Sequence, residues 1–150
     1  MDFPALPPVP ADPPHEMARA LGAEPSFTGF GGGDYLALLD SERSVRALEP
    51  DFARLRRLGS RGVIVTAEAD DRDLDFVSRF FAPGVGIDED PVTGSAHCCL
   101  GPFWRQRLGK DQLRGYQASA RGGVVQISVL GDRVHLGGCA VTVLRGELLA

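Results

Sequence analysis

The sequence has little of what would mark a secreted, membrane-bound or nucleic-acid-binding protein. It has three cysteines, an odd number with two of them adjacent at Cys98 and Cys99, so no disulfide framework is read from it. No apolar run is long enough to span a bilayer. The opening MDFPALPPVPADPP has neither a basic start nor an apolar core and does not read as a signal peptide. Positive charge is in deficit: 16 Lys and Arg stand against 20 Asp and Glu, a net charge of −4, and no basic cluster with interleaved aromatics occurs. That balance argues against nucleic acid as a partner. The expected setting is cytoplasmic, with no membrane partner.

What remains is an ordinary globular composition, 43% hydrophobic and 24% charged, in 150 residues. That length suits about one domain and buries roughly two-thirds of the unfolded surface. Six of the eleven prolines fall within residues 1–14. This segment is expected to be a crossover or linker, with at most an extended edge at Asp2-Phe3, and residues 15–150 a single domain. Short helices are predicted over Pro13 to Gly22, over Ser41 to Leu48 with Ser41 as N-cap, and from Asp51, where Phe52, Leu55 and Leu58 share a face. Strands are predicted over Pro25 to Gly29, Asp34 to Asp40, Val63 to Ala67 and Leu74 to Phe81. Further strands are expected over Gln112 to Ala120, Val124 to Leu130, Arg133 to Leu136 and Ala140 to Leu144, with a hairpin turn at Arg121-Gly122-Gly123. Gly29 to Gly33 superficially suggests a phosphate loop, but a strand follows it rather than a helix, so a turn is the better reading. This order of elements is that of an α+β protein.

One stretch is not generic. Residues 78–104 read SRFFAPGVGIDEDPVTGSAHCCLGPFW. An apolar strand ends at Ala82 and a Gly- and Pro-rich loop follows. Three acids come next, Asp88, Glu89 and Asp90, and then a helix beginning near Gly94. The first N–H groups of a helix have no helical acceptor, and with the positive end of the dipole they form an anion site. Gly94 permits close approach of a ligand, and Ser95 adds a hydroxyl donor. Asp90 stands where it can remove or return a proton beside the bound anion. Ala96, Cys98, Cys99, Leu100, Phe103 and Trp104 are apolar over much of the helix circumference, which implies burial, and Gly101-Pro102 predicts a kink or short break. A helix buried in this way needs curved sheet around it.

Each of these residues also has a plainer reading. A loop acid near a helix N-terminus stabilises it by a few tenths of a kcal/mol to about 1 kcal/mol, which would account for Asp90. Asp88 and Glu89 read as a solvated charge run, and Ser95 as a first-turn cap residue. Ser95 and His97 stand two apart and do not face each other on a helix, which removes a serine–histidine dyad. His97 reads as a core or supporting histidine more readily than as a substrate contact. His97, Cys98 and Cys99 point in different directions on a helix, so no metal is expected there. Cys98 and Cys99 read as small hydrophobes rather than reactive thiols, and Cys139 as strand packing.

The chain resembles the phenazine-biosynthesis (PhzF-like) isomerase/epimerase family. The resemblance is carried by FVSRFFAPGVGIDEDPVTGSAH at Phe76 to His97, by Leu100 and Pro102-Phe103-Trp104, and by the closing QASARGGVVQISVLGDRVHLGGCAVTVLRGEL. MDFPALPP, DYLALLD and SRGVIVTAEAD look like upstream family segments in the right order. It covers nearly the whole chain but only the C-terminal half of family members. What it implies is a diaminopimelate-epimerase-like fold, a curved, mostly antiparallel sheet rolled around a buried central helix. Two such domains would enclose the active site. It further implies proton transfer on a small carboxylated substrate without metal or organic cofactor. Carried over by motif, Asp90, Gly94 and Ser95 match the family's proton-handling and substrate-binding positions, with Asp90 as the catalytic residue. Thr93 and His97 complete the candidate substrate-binding set. The family's general acid/base Glu and a Gly-His pair belong to the first half and have no counterpart here. The expected partners are therefore the substrate and either a companion N-terminal domain or a second copy of the chain. The alternative reading is a non-catalytic carboxylate-binding or homo-oligomerising domain left from a truncated enzyme.

Overall fold

A computed structural model of the chain describes residues 1–147. One sheet takes in β1 (Asp2–Pro4), β2 (Val9–Pro10), β3 (Phe27–Gly31), β4 (Asp34–Leu38), β5 (Gly62–Glu68), β6 (Phe76–Phe81), β7 (Gln112–Gln117), β8 (Gly123–Leu130) and β9 (Arg133–Gly137). The helices are α1 (Met17–Leu21), α2 (Glu42–Arg46), α3 (Phe52–Leu55) and α4 (Gly94–Leu108). The strand order is β1-β9-β8-β7-β6-β5-β4-β3-β2. Pairing is antiparallel except between β4 and β5 and between β6 and β7, so the sheet is mixed and the class is α+β.

The first ten residues make the sheet curl. β1 pairs with β9 at one edge and β2 with β3 at the other. Only Ala5 to Pro8 separates them, which holds the two edges within roughly 18 Å even if that link is fully extended. A flat nine-stranded sheet would span about 38 Å from edge to edge. The sheet therefore closes on itself as a half-barrel, and the Pro-rich segment is the strap across the opening.

The central strands are buried on both faces. Leu36, Ile64, Phe76 and Phe80 point to the face that carries α4, together with Leu113, Val125, Ile127, Val129, Val134 and Leu136. Ala37, Val63, Val65, Ala67, Val77 and Phe81 point to the other face, where Met17, Leu21, Val45 and Leu55 from the three short helices cover them. This two-sided burial explains why β5 reads as a continuous apolar run rather than an alternating one. α2 takes its expected cap, the Ser41 side chain accepting from the Ser44 N–H, and the Asp51 side chain caps α3 by accepting from the Arg54 N–H.

α4 runs unbroken through Pro102, which corrects the expected break at Gly101-Pro102. Proline at 102 removes the N–H that would bond the Cys98 carbonyl. The strap replaces it, with the Leu6 N–H donating to Cys98 O at 2.9 Å. Gly101 lets the helix approach the sheet, because a Cβ there would lie 2.9 Å from Ile127 Cγ2 and 3.3 Å from Val129 Cγ2. Trp104 Nε1 donates to Thr66 Oγ1 at 3.0 Å, so the one polar atom of that side chain is satisfied inside the core.

A second correction concerns the C-terminal end. Ala140 to Leu144 was expected as a strand, yet residues 138–147 pair with nothing. β9 has β8 on one side and β1 on the other, so no free edge remains beside it. Val141, Val143 and Leu144 are exposed, and Cys139 is exposed rather than packed.

Gly101→Ala is expected to destabilise the chain by about 1 kcal/mol in urea unfolding. Crowding against Ile127 and Val129 costs roughly 1–3 kcal/mol and outweighs the helix-propensity gain of about 1 kcal/mol.

Candidate active site

The start of α4 faces one end of the sheet, where β3, β6, β7 and β9 finish and β1, β2, β4, β5 and β8 begin. Four connections meet there. The loop after β6 carries Asp90, whose N–H donates to Phe80 O at 3.0 Å. The turn after β7 clasps this loop, with Ser119 Oγ donating to Pro91 O at 2.8 Å. That turn lies close, since a Cβ on Gly123 would sit 2.6 Å from Val92 Cγ2.

Asp90 is half-buried and tied to Thr93, whose Oγ1 donates to Asp90 Oδ2 at 2.5 Å. Gln117, fully buried at the end of β7, holds both residues. Its Oε1 accepts the Thr93 N–H at 2.8 Å, and its Nε2 donates to Asp90 O at 2.6 Å and Thr93 Oγ1 at 3.0 Å. Thr93 occupies the N-cap position of α4 but makes no side-chain cap bond. Among the described residues, the N–H groups of Gly94, Ser95 and Ala96 therefore have no acceptor. A Cβ on Gly94 would meet nothing nearer than Leu136 Cδ1 at 3.9 Å, so the approach to these donors is open. A groove of about 810 Å³ lies beside Gly94, bordered by Val92, Gly122, Gly123, Leu136 and Gly137.

On the other flank, Ser95 Oγ accepts from Arg61 Nη2 at 3.1 Å. Arg61 is itself anchored by Asp34, a buried carboxylate at the start of β4, through Nε at 2.9 Å and through Nη2. The hydrogen bond to Asp34 raises Arg61 further above its ordinary range. Arg61 Nη1 has no acceptor among the described residues and belongs to a side chain that is partly exposed. The site thus presents one carboxylate, three helix N–H groups, one hydroxyl and one guanidinium edge.

The residues singled out in the sequence separate into two groups. Asp90, Gly94 and Ser95 stand at the mouth. Thr93 is there too, but its hydroxyl is committed to Asp90 and Gln117. His97 is corrected: it is fully buried, and its ring lies 6.1 Å from Phe76 rather than at the mouth. Its Nδ1 is 2.7 Å from Thr93 O, and because a carbonyl only accepts, Nδ1 carries the hydrogen and Nε2 is left as a bare lone pair. Burial lowers this histidine from 6.5 to about 4, so it is neutral at pH 7. Glu89 is also corrected. It is not part of a solvated run but pairs with Arg79 through Nε at 2.7 Å and Nη2 at 2.9 Å, and Arg79 reaches on to the Leu48 carbonyl. Cys99 is pushed up to about 12 by burial and by the charge of Asp34, and Cys98 is raised by burial. Neither is a thiolate at neutral pH. Among the described residues, no group of three His, Cys, Asp or Glu stands where it could hold a metal ion, and no helix is long and apolar enough to cross a membrane.

Sequence reasoning missed Gln117, Arg61 and Asp34. A usable signal existed for two of them. Gln117 shares the inward parity of Leu113 and Gly115, and Asp34 that of Leu36, so each is a polar residue at a core position.

His97 makes a pH prediction. Its pKa is depressed in the folded state, so the unfolded chain takes up the proton first as pH falls. Stability from this group is complete above pH 6.5 and is lost on acidification toward pH 4. Between pH 7 and pH 5 the expected loss is about 2 kcal/mol. In His97→Asn that part of the slope should vanish, as read from urea midpoints at the two pH values.

The family model for phenazine biosynthesis-like proteins (PhzC-PhzF) matches residues 16–146. A Halalkalibacterium halodurans protein named as an uncharacterized isomerase is 48% identical over 150 residues, covering 99% of this chain and 57% of its own length. A Pseudomonas aeruginosa protein with the same kind of name is 51% identical over 148 residues, covering 99% and 56%. The crystal structure of an Enterococcus faecalis phenazine biosynthesis protein of the PhzF family superposes with a TM-score of 0.90 at 40% identity, covering all of this chain and 57% of that one. The chain spans little more than half the length of these relatives. With most of its length matched by the family model and this likeness in fold, the chain belongs to the PhzC-PhzF phenazine biosynthesis-like family.

Proposed function

We propose that this chain forms one side of the active site of an isomerase that moves a proton on a small carboxylated metabolite. One observation carries the reading: the Asp90 carboxylate is held at the start of a helix whose first three N–H groups have no acceptor. A substrate carboxylate seated on those donors, on the Ser95 hydroxyl and on Arg61 Nη1 would bring its neighbouring carbon toward Asp90. Asp90 takes a proton from one carbon, or returns one to another, and the product is an isomer with no atoms gained or lost. Side-chain acid–base chemistry is sufficient for such a step, and the reading calls on no cofactor. The isomerase names of the two bacterial relatives agree with it. A domain built only to bind an anion would gain nothing from a carboxylate fixed beside the anion's seat, where its charge opposes binding.

In this reading the chain is the C-terminal, diaminopimelate-epimerase-like half of a family member, its sheet rolled around α4. A second acid or base then comes from a companion domain, or from another copy of the chain, closing over the mouth. Gly94 and Ser95 bind substrate directly, while Thr93 acts on Asp90.

Asp90→Asn in the assembled enzyme is expected to lower solvent-deuterium incorporation into small carboxylic acids by about 100-fold or more, with folding intact. Proton NMR in heavy water reads it directly. A folded variant that exchanges at the wild-type rate would remove Asp90 from the reaction. Ser95→Ala is expected to act mainly on KM, raising it about tenfold through loss of one hydrogen bond to a charged group.

A further inference from the structure

The hydrogen bonds around Asp90 can be assigned atom by atom, and with Asp90 as a carboxylate the assignment has one solution. The Thr93 N–H can only donate, so the Gln117 atom 2.8 Å from it is the carbonyl Oε1. The amide nitrogen Nε2 then faces Asp90 O and Thr93 Oγ1, with one hydrogen for each. Thr93 Oγ1 accepts from Gln117, so its own single hydrogen goes to its other partner, Asp90 Oδ2. Gln117 is fully buried and Thr93 nearly so, and among the described residues neither Gln117 Nε2 nor Thr93 Oγ1 has a further side-chain partner. Asp90 Oδ1 receives no hydrogen bond from the described residues.

We propose that Gln117 is a positioning residue: it fixes the direction of the Thr93 hydroxyl, which caps Oδ2 of Asp90 and leaves Oδ1 as the oxygen that handles the substrate's proton. A freely rotating hydroxyl could serve either protonation state, donating to a carboxylate or accepting from a carboxylic acid. With one lone pair taken by Gln117, the Thr93 hydroxyl could accept from Asp90 only by turning its hydrogen away from the one acceptor it has among the described residues, so it acts as a donor to Oδ2. It also directs the basic lone pairs, because one of the two oxygens is already occupied. The proton-handling half of this inference rests on the isomerase reading, while the hydrogen-bond lock does not.

The test is the signal of the Asp90 side-chain carboxyl carbon, followed by carbon-13 NMR at pH 7 in the full chain without substrate. Thr93→Val removes the hydroxyl at nearly constant shape and is expected to move that signal. Thr93→Ser should return it to the wild-type position. Gln117→Met should move it in the same direction, and should add less in the Thr93→Val background, because both act through one hydroxyl. Should Gln117→Met not fold, Gln117→Asn takes its place in the same cycle. It keeps the amide uncharged but is one methylene too short to hold Thr93 and Asp90 together. An unchanged signal in folded Thr93→Val overturns the cap on Oδ2. Equal additions by the Gln117 change in both backgrounds overturn the lock. In the assembled enzyme, the Gln117 change should lower kcat with little change in KM. A chain that shows this pattern of signals but no exchange activity would sink the isomerase reading and leave the lock standing.

Discussion

Helix α4 is apolar along nearly its whole circumference, and such a helix has no stable place in water. Leu100, Phe103 and Trp104 alone contribute several kcal/mol when covered, at about 1.5–3 kcal/mol for each large side chain. The sheet therefore bends into a half-barrel, and the first ten residues hold its two edges within roughly 18 Å of each other. Their prolines make sense in that setting. A strap lying over a buried helix has few acceptors to offer, and proline brings no N–H that needs one. The N–H groups that remain at Ala5 and Leu6 are both used, on Asp132 and on the Cys98 carbonyl. The Pro in the strap and the Pro in the helix are thus matched: Pro102 leaves a carbonyl open and Leu6 fills it.

A helix can be apolar along its sides but not at its ends. Burial of α4 therefore gathers the polar demands of the core at one place, the mouth where the nine strands start or stop. The N-cap position there holds Thr93, a residue that ordinarily accepts a bond from the first turn and contributes about 1 kcal/mol by doing so. Here the hydroxyl is turned away to Asp90, and that local stability is forgone. The first-turn donors stay open as a result. Forgone capping beside an oriented carboxylate is what a site prepared for a ligand looks like, and it costs little against the burial of the helix itself.

Much of this was legible in the residues, and the failures have physical causes. The helix, its burial, its start at Gly94 and the acid before it all follow from local pattern. The break at Pro102 did not materialise because a segment about a hundred residues away supplied the missing donor, and no local rule contains that donor. The strand at Ala140 to Leu144 has the right alternation but no edge to join, since β1 already covers β9; propensity describes a strand's fitness for a sheet, not the vacancy. Glu89 looked solvated because its partner Arg79 is a strand residue ten positions earlier. Gln117 and Asp34 were visible only as polar residues on a buried parity, a signal that tells of a partner without naming it.

The charges at the mouth have a logic that none of them has alone. In the proposed reading, Asp90 and an incoming carboxylate would repel each other, so the seat would need positive potential from elsewhere. The helix end supplies about half an elementary charge, which falls off within one turn. Arg61 supplies the rest from the other side of Ser95, and arginine rather than lysine suits the position. Its planar fork gives two N–H edges to Asp34 and still leaves Nη1 for a ligand, whereas an ammonium pulled onto Asp34 would have no fixed second face. Asp34 in turn is buried and would be costly without Arg61, so the pair is locked by its own desolvation. Burial, and after it the same Asp34 charge, pushes the Cys99 thiol upward, which disfavours a thiolate there. In the proposed reaction, binding and proton transfer fall on opposite flanks of the first helical turn, with Thr93 and Gln117 holding the acid and Asp34 holding the guanidinium that would steady the anion.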